Sequence, residues 1–263
     1  VNYSIEETYQ GLYDKIRGYL GKPRKAGRIG PPDELTYARY GLWHYVLPEK
    51  RKAKPYSDLE TAGANLRGLV RVLLFKRFES SVHAFRETVR RMKAAHNIFL
   101  AALDDGFVPA GEKAQDLMYE AGDLDQDLMH DLSQLSGSYP AEDFDISLLK
   151  AHIAQDLKIL TEILSLVEPV TYDKDAKLQV LKEMLRKPPF FGGKTLVFSQ
   201  YADTAQYLYD NLKDRSRDDI EVVYSGTDNK VGVVARFAPK ANRQYAAKGS
   251  EINLLIATDV LAE

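Results

Sequence analysis

The longest regular pattern in the chain runs from residue 66 to residue 103. Leu66, Val70, Leu74, Phe78, Val82, Phe85, Val89, Met92, Phe99 and Leu103 fall on one helical stripe. Between them stand Arg67, Arg71, Lys76, Arg77, Arg86, Arg90, Arg91 and Lys93. The pattern therefore predicts one long amphipathic helix, or two in line, with a basic outer surface. Gly106 and Pro109 end it. Upstream, Tyr9, Leu12, Tyr13, Ile16 and Leu20 share a shorter helical face, and "GKPRKAGRIGPPDEL" after them reads as a loop. Downstream, "AQDLMYEAGDLDQDLMHDLSQL" and "ISLLKAHIAQDLKILTEILSLV" both show helical spacing, separated by "SGSYPAEDFD". Residues 1–170 are expected to be mainly helical.

The pattern then changes. "DAKLQVLKEMLR", "ADTAQYLYDNLKDR" and "KVGVVARFAPKAN" are helical, while "TLVFSQ", "IEVVYSG" and "INLLIATD" are short apolar runs of strand type. Strands alternating with amphipathic helices predict parallel pairing through crossovers, an open α/β layer over residues 171–263. In such layers function gathers beyond the carboxyl ends of the strands. Here those ends carry Ser199-Gln200, Ser225-Gly226-Thr227 and Thr258-Asp259.

Two nucleotide-binding motifs are suggested and rejected. Gly193-Lys194-Thr195 is the close of a P-loop, but Pro188 stands where the first glycine belongs, and proline has no N–H to offer a phosphate. The order is also reversed, with a helix before the motif and a strand after it. The bland reading is a turn feeding a strand, with Lys194 merely solvating it. Asp33-Glu34 follows two prolines rather than an apolar strand, so it is no Mg²⁺ box.

Composition narrows the classes. The 263 residues contain no cysteine, which removes disulfides and thiolate sites and suits a reducing compartment. No apolar run reaches the roughly 18 residues of a membrane helix. Nothing resembles a leader, so a cytoplasmic location is expected. The five histidines are scattered and form no ligand pair, and no metal site is expected. Charge is unevenly spread: residues 1–100 hold 19 Lys and Arg against 10 Asp and Glu, and residues 101–180 hold 5 against 17. The basic part suits a polyanion and the acidic part a basic partner; ordinary solvated helix faces explain both equally well.

Four segments in order, "KTLVFSQYADTAQYLYDNL", "VVYSGT", "VARFAP" and "INLLIATDVLAE", resemble the second RecA-like motor lobe of Swi/Snf-type translocases of helicase superfamily two. The resemblance covers about residues 173 to 263. "VLLFKRFESSVHAF", residues 72 to 85, is similar to the helices preceding that lobe in the HepA/RapA-like branch, so residues 1–170 match an inter-lobe insertion. Carried over, Phe198, Ser199, Gln200 and Tyr201 fall on motif IV. Ser225, Gly226 and Thr227 fall on the segment after the next strand, and Thr258 and Asp259 on motif V.

The resemblance implies that Ser199, Gln200, Tyr201, Ser225, Gly226, Thr227 and Thr258 meet a sugar-phosphate backbone, with Asp259 coupling to the ATP cleft. It implies double-stranded DNA as the track, with RNA left open. ATP and Mg²⁺ are implied for an intact parent only. The first RecA-like lobe with its P-loop lysine and acidic box, and the final arginine motif, are not among these residues, so the chain alone is expected to be inactive as an ATPase. Single residues have plainer readings too. Asp259 suits a helix cap, Gln200 and Tyr201 suit loop packing, and Arg236 suits a helix surface. A second hypothesis makes the helical half an interaction module. Its acidic helices 115–165, with Asp123, Asp125 and Asp127, would dock on a basic partner such as RNA polymerase. A third, a free-standing doubly wound nucleotide enzyme, lacks a Gly-rich turn after any strand.

Overall fold

The structure, a computed structural model, describes residues 11–22, 29–110, 137–213, 219–242 and 249–258. These fall into two compact units. One comprises the described residues of Ile5–Lys76 and Phe85–Pro169; the other comprises Arg77–Ala84 and the described residues from Val170 onward.

The first unit is mainly helical. Its elements are α1 (Leu12–Leu20), most of α2 (Asp58–Ser80), most of α3 (Val82–Asp104), a short antiparallel pair β1 (Phe107–Pro109) and β2 (Ser138–Pro140), and α4 (Ile146–Val167). The stripe expected over 66–103 is present, and all ten of its apolar residues are buried. It is two helices rather than one. The Ser81 hydroxyl accepts the amide of Ala84 at 3.3 Å, an N-cap that starts a new helix one residue after α2 ends. Asp145 caps α4 in the same way, accepting from the Leu148 amide at 3.0 Å.

Residues 35–46 showed no helical or strand period, yet most of them are buried. Two 3₁₀ turns, Ala38–Tyr40 and Leu42–Tyr45, put Ala38, Leu42, Tyr45 and Val46 into a core with Phe99, Leu103, Phe144, Leu149 and Ile153. A buried irregular segment must find acceptors for its amides. Asp156 of α4, fully buried, supplies them: it accepts from Thr36 N at 2.6 Å, Thr36 Oγ1 at 2.9 Å and Ala38 N at 3.2 Å. Farther on, Asp145 N donates to Tyr45 O at 2.7 Å. Gly63 in α2 lies so close that a Cβ there would stand 3.2 Å from the Tyr40 carbonyl oxygen.

The second unit is α/β. β3 (Thr195–Phe198), β4 (Ile220–Val223) and β5 (Leu254–Ala257) form a parallel sheet in the order β3-β5-β4. All three strands lie within the runs expected, as do α5 (Ala176–Leu185), α6 (Ala202–Leu212) and α7 (Lys230–Phe237). Leu178, Leu181 and Leu185 of α5 and Ala205, Tyr207 and Leu212 of α6 cover one face, over Ile220, Leu254 and Ile256. Val233 and Phe237 of α7 pack with Val223, Ile252 and Leu255 on the other. Helices on both faces are what two-sided apolar strands require.

Among the described residues, β3 is an edge strand. Thr195 N and Ser199 N donate to Asn253 O and Ala257 O of the β5 segment at 2.7 and 2.9 Å, so the amides of Leu196 and Phe198 point away from the sheet. Their side chains are 41% and 61% exposed, on the face where α7 reaches only the other strands' core.

Candidate functional site

The sequence-expected residues lie at the carboxyl edge of the sheet, and the register brings them abreast. Ser199 N donates to Ala257 O at 2.9 Å, and Thr258 N donates to Val223 O at 3.0 Å. Thr258 therefore follows the central strand, with the 199–201 turn on one side and the 224–227 turn on the other. α6 begins directly after the first turn and α7 shortly after the second. Both helices thus direct their positive dipole ends to this edge, the polarity that favours an anion.

Each turn is held by its own hydroxyl. The Ser199 hydroxyl donates to Tyr201 O at 3.2 Å and accepts from Tyr201 N at 3.3 Å. The Thr227 hydroxyl accepts from Tyr224 N at 2.9 Å, and Thr227 N donates to Tyr224 O at 3.0 Å. These are side-chain-closed turns, which need no regular period in the sequence. Gln200, Ser225 and Gly226 are exposed, and Ser199 and Thr227 half-buried. The edge carries both signs beyond Thr227, with Asp228 exposed and Lys230 half-buried.

Tyr201 and Thr258 stand apart from the other residues of the edge. Their side chains are buried, at 2% and 3% exposure. Tyr201 packs beneath the Arg77 guanidinium, whose Cζ stands 4.6 Å from the ring centroid. The Thr258 amide is given to Val223 O. Asp259 lies outside the described residues, as do Asp123, Asp125 and Asp127.

The sequence reading missed what holds the 199–201 turn in place. Arg77, with a side chain 5% exposed, pairs with Asp203 at 2.9 Å. Ser80 Oγ lies 3.2 Å from Thr204 Oγ1. Lys177 Nζ donates to the carbonyls of Glu79 and Ser80 at 3.1 and 2.9 Å, a cation on the last turn of α2. Burial lowers its pKa. Asp175 caps α5 at the Leu178 amide and accepts from the Tyr207 hydroxyl, both at 3.0 Å. The Tyr207 ring is stacked on His83 at 4.5 Å. Helical spacing marked Arg77 as surface charge. Only the partner 126 residues away reveals its other use.

Several cations of the basic stripe have internal partners, which qualifies the expectation of a basic outer surface. Besides Arg77, Arg67 bonds His44 Nε2 at 2.9 Å. Arg86 donates to Val167 O and Glu168 O at the end of α4, and Arg90 pairs with Glu87 and Glu168. For Arg86 the cause is the one that favours Lys and Arg at helix C-termini. Lys194 is likewise engaged rather than merely solvated: it donates to Ile252 O at 2.5 Å and pairs with Glu251 at 2.6 Å. Arg236 ties α7 to β4 through Glu221 at 3.1 Å and reaches Ser250 O at 2.8 Å.

The lysine of the Gly-Lys-Thr triplet is committed to the sheet, Thr195 lies within β3, and among the described residues no group of three or more His, Asp or Glu could hold a metal ion. Also among the described residues, no helix is long and apolar enough to cross a membrane. Comparison of the chain with protein-family models, with curated proteins and with solved structures finds no match.

Proposed function

We propose that the chain is the second, RecA-like motor lobe with its preceding helical insertion, from a Swi/Snf-type translocase driven by ATP along double-stranded DNA. Its own part in that activity is to hold the sugar-phosphate backbone. The observation that supports this reading is the register of the parallel sheet, in which the 199–201 turn, Thr258 and the 224–227 turn stand side by side at the carboxyl edge. Short hydroxyl and amide side chains with backbone N–H groups can hold phosphates without reading bases, and the two helix ends supply the favourable field. The open rim of β3 also suits a sheet that another segment extends.

The chemistry done by ATP belongs to residues outside this chain, and no step of it is derived from these residues. Among them, Ser199, Gln200, Ser225 and Thr227 bind and orient the backbone. Arg77 and Asp203 hold the first of these turns.

Duplex binding followed by fluorescence anisotropy against salt tests the proposal. Affinity should fall linearly with log salt, with a slope of about −0.9 per phosphate neutralised. Gln200→Glu and Ser225→Glu should each weaken binding about tenfold at low salt, for all sequences alike. Salt-independent binding, or full affinity in both variants, overturns it.

A further inference from the structure

Beside the 199–201 turn lies a cleft of about 360 Å³, enclosed by residues of the α/β unit alone. Its lining is two-sided in character. Leu178, Leu181, Val197 and Leu208 give an apolar floor, and Ser80, Ser81, Lys177, Ser199, Gln200 and Thr204 give donors and acceptors. Tyr207 forms part of the wall, backed by the stacked His83 ring.

The charges of this lining decide what kind of molecule suits it. Asp175 and Lys177 both border the cleft, so their opposite signs favour neither an anion nor a cation. Asp175 is occupied by the Leu178 amide and the Tyr207 hydroxyl, and Lys177 by two helix carbonyls. The ligand that fits is neutral, with apolar faces for the leucines and valine. It also carries a polar edge of mixed donors and acceptors for Gln200 and the hydroxyls. A carboxamide such as that of Gln200 can pair two atoms of a base edge at once. Pockets that combine an apolar body with a few convergent polar groups are the usual form of small-ligand sites.

We propose that this cleft is a nucleobase site, taking one unpaired base from the strand whose backbone is held at Ser199 and Gln200. The identity of that strand rests on the function proposed above; the existence of the site rests on the lining. Ser199 and Gln200 belong to both the turn and the cleft, so a phosphate at the turn places its own or a neighbouring base at the cleft mouth. Extruding a base from a duplex is unfavourable by a few kcal/mol, and the site therefore favours unpaired or mismatched nucleotides.

Deoxyadenosine and thymidine titrated into the full chain, followed by ligand-observed NMR, test the site. Binding near the millimolar range is expected. Leu208→Trp fills the cleft and should weaken it at least about tenfold, and Gln200→Ala, at an exposed position, about threefold. Retained affinity in Gln200→Ala overturns the proposal whether or not Leu208→Trp keeps its fold, because Gln200 is exposed and its truncation does not disturb the core. Equal binding of N-acetyl-leucinamide also overturns it, since the cleft would then anchor a protein side chain. Nucleoside binding without duplex binding supports the cleft and removes the proposed function; duplex binding without nucleoside binding removes the cleft alone.

Discussion

The two units place their polar groups in opposite ways. In the helical unit several charged groups face inward. Asp156 holds the 36–38 backbone, Asp143 takes Lys50 at 2.9 Å and the Tyr56 hydroxyl, and Arg67 holds His44. In the α/β unit the sheet core is apolar on both faces, and hydroxyls and amides gather at one edge. The first arrangement makes an irregular segment rigid at the cost of sensitivity to any lost partner. The second leaves polar side chains at a surface that regular packing already supports. Buried polar groups therefore hold irregular backbone in the helical unit, while in the α/β unit buried Arg77 and Asp175 support an exposed polar edge that is the candidate interface.

The sharpest way to break this contrast is Asp156→Ala. It orphans the buried Thr36 amide and hydroxyl and leaves Ala38 N only its 3.1 Å bond to Thr36 Oγ1, and a loss of about 3–5 kcal/mol is expected. Hydrogen exchange should show Thr36 and Ala38 losing protection while Val197 and Ile256 keep theirs. Arg77→Met comes next, at about 2–3 kcal/mol, because it leaves Asp203 without its cation. Here the affected amides should be those of the 199–201 turn and the first turn of α6, and unchanged protection there would remove Arg77 from its positioning role.

Acid should act more weakly, and on the helical unit. Burial, then Arg67 and Arg51, lower the His44 pKa from 6.5 to about 4. Burial lowers that of His152 as well. Below 6.5 the unfolded chain takes up a proton that folded His44 refuses. Stability is therefore complete above that value, falls as pH drops toward 4, and levels off below. Allowing for solvent screening of a half-exposed ring, the His44 contribution is on the order of 1–2 kcal/mol. Urea midpoints measured across this range, in parallel with His44→Gln, check it; the variant should lose most of the slope. Smallest of all, Gln200→Ala and Ser225→Ala should shift the thermal midpoint by no more than the equivalent of about 0.5 kcal/mol, since nothing in the fold depends on either side chain.

Much of the α/β unit was legible because its signals are local. "TLVF", "IEVV" and "LLIA" are short apolar runs between helical periods, and each is a strand. The residues at the carboxyl edge followed from that alternation alone. The helical stripe of 66–103 was legible for the same reason, except at Ser81, where a single hydroxyl starts a new helix within an unbroken apolar period. Residues 35–46 were not legible, because their structure is imposed by Asp156, some 120 positions away. The uses of Arg77 and Lys177 were hidden likewise. A guanidinium on a helix reads as solvated until its carboxylate is found, and an amine cannot announce that it will cap a distant helix. Burial of Tyr201 and Thr258 is also a property of the packed turn rather than of residue type.

The strand order has a mechanical meaning. Force applied through Thr258 enters β5, which is bonded on both flanks and runs parallel to each neighbour, so a pull along the strand is shared by two rows of bonds strained together in shear. Force applied through Ser199 enters β3, which has one such row. A pull on this edge would find the middle stiff and the Ser199 side compliant, so the first bonds to give way under tension would be those between Thr195–Phe198 and β5, its one partner among the described residues.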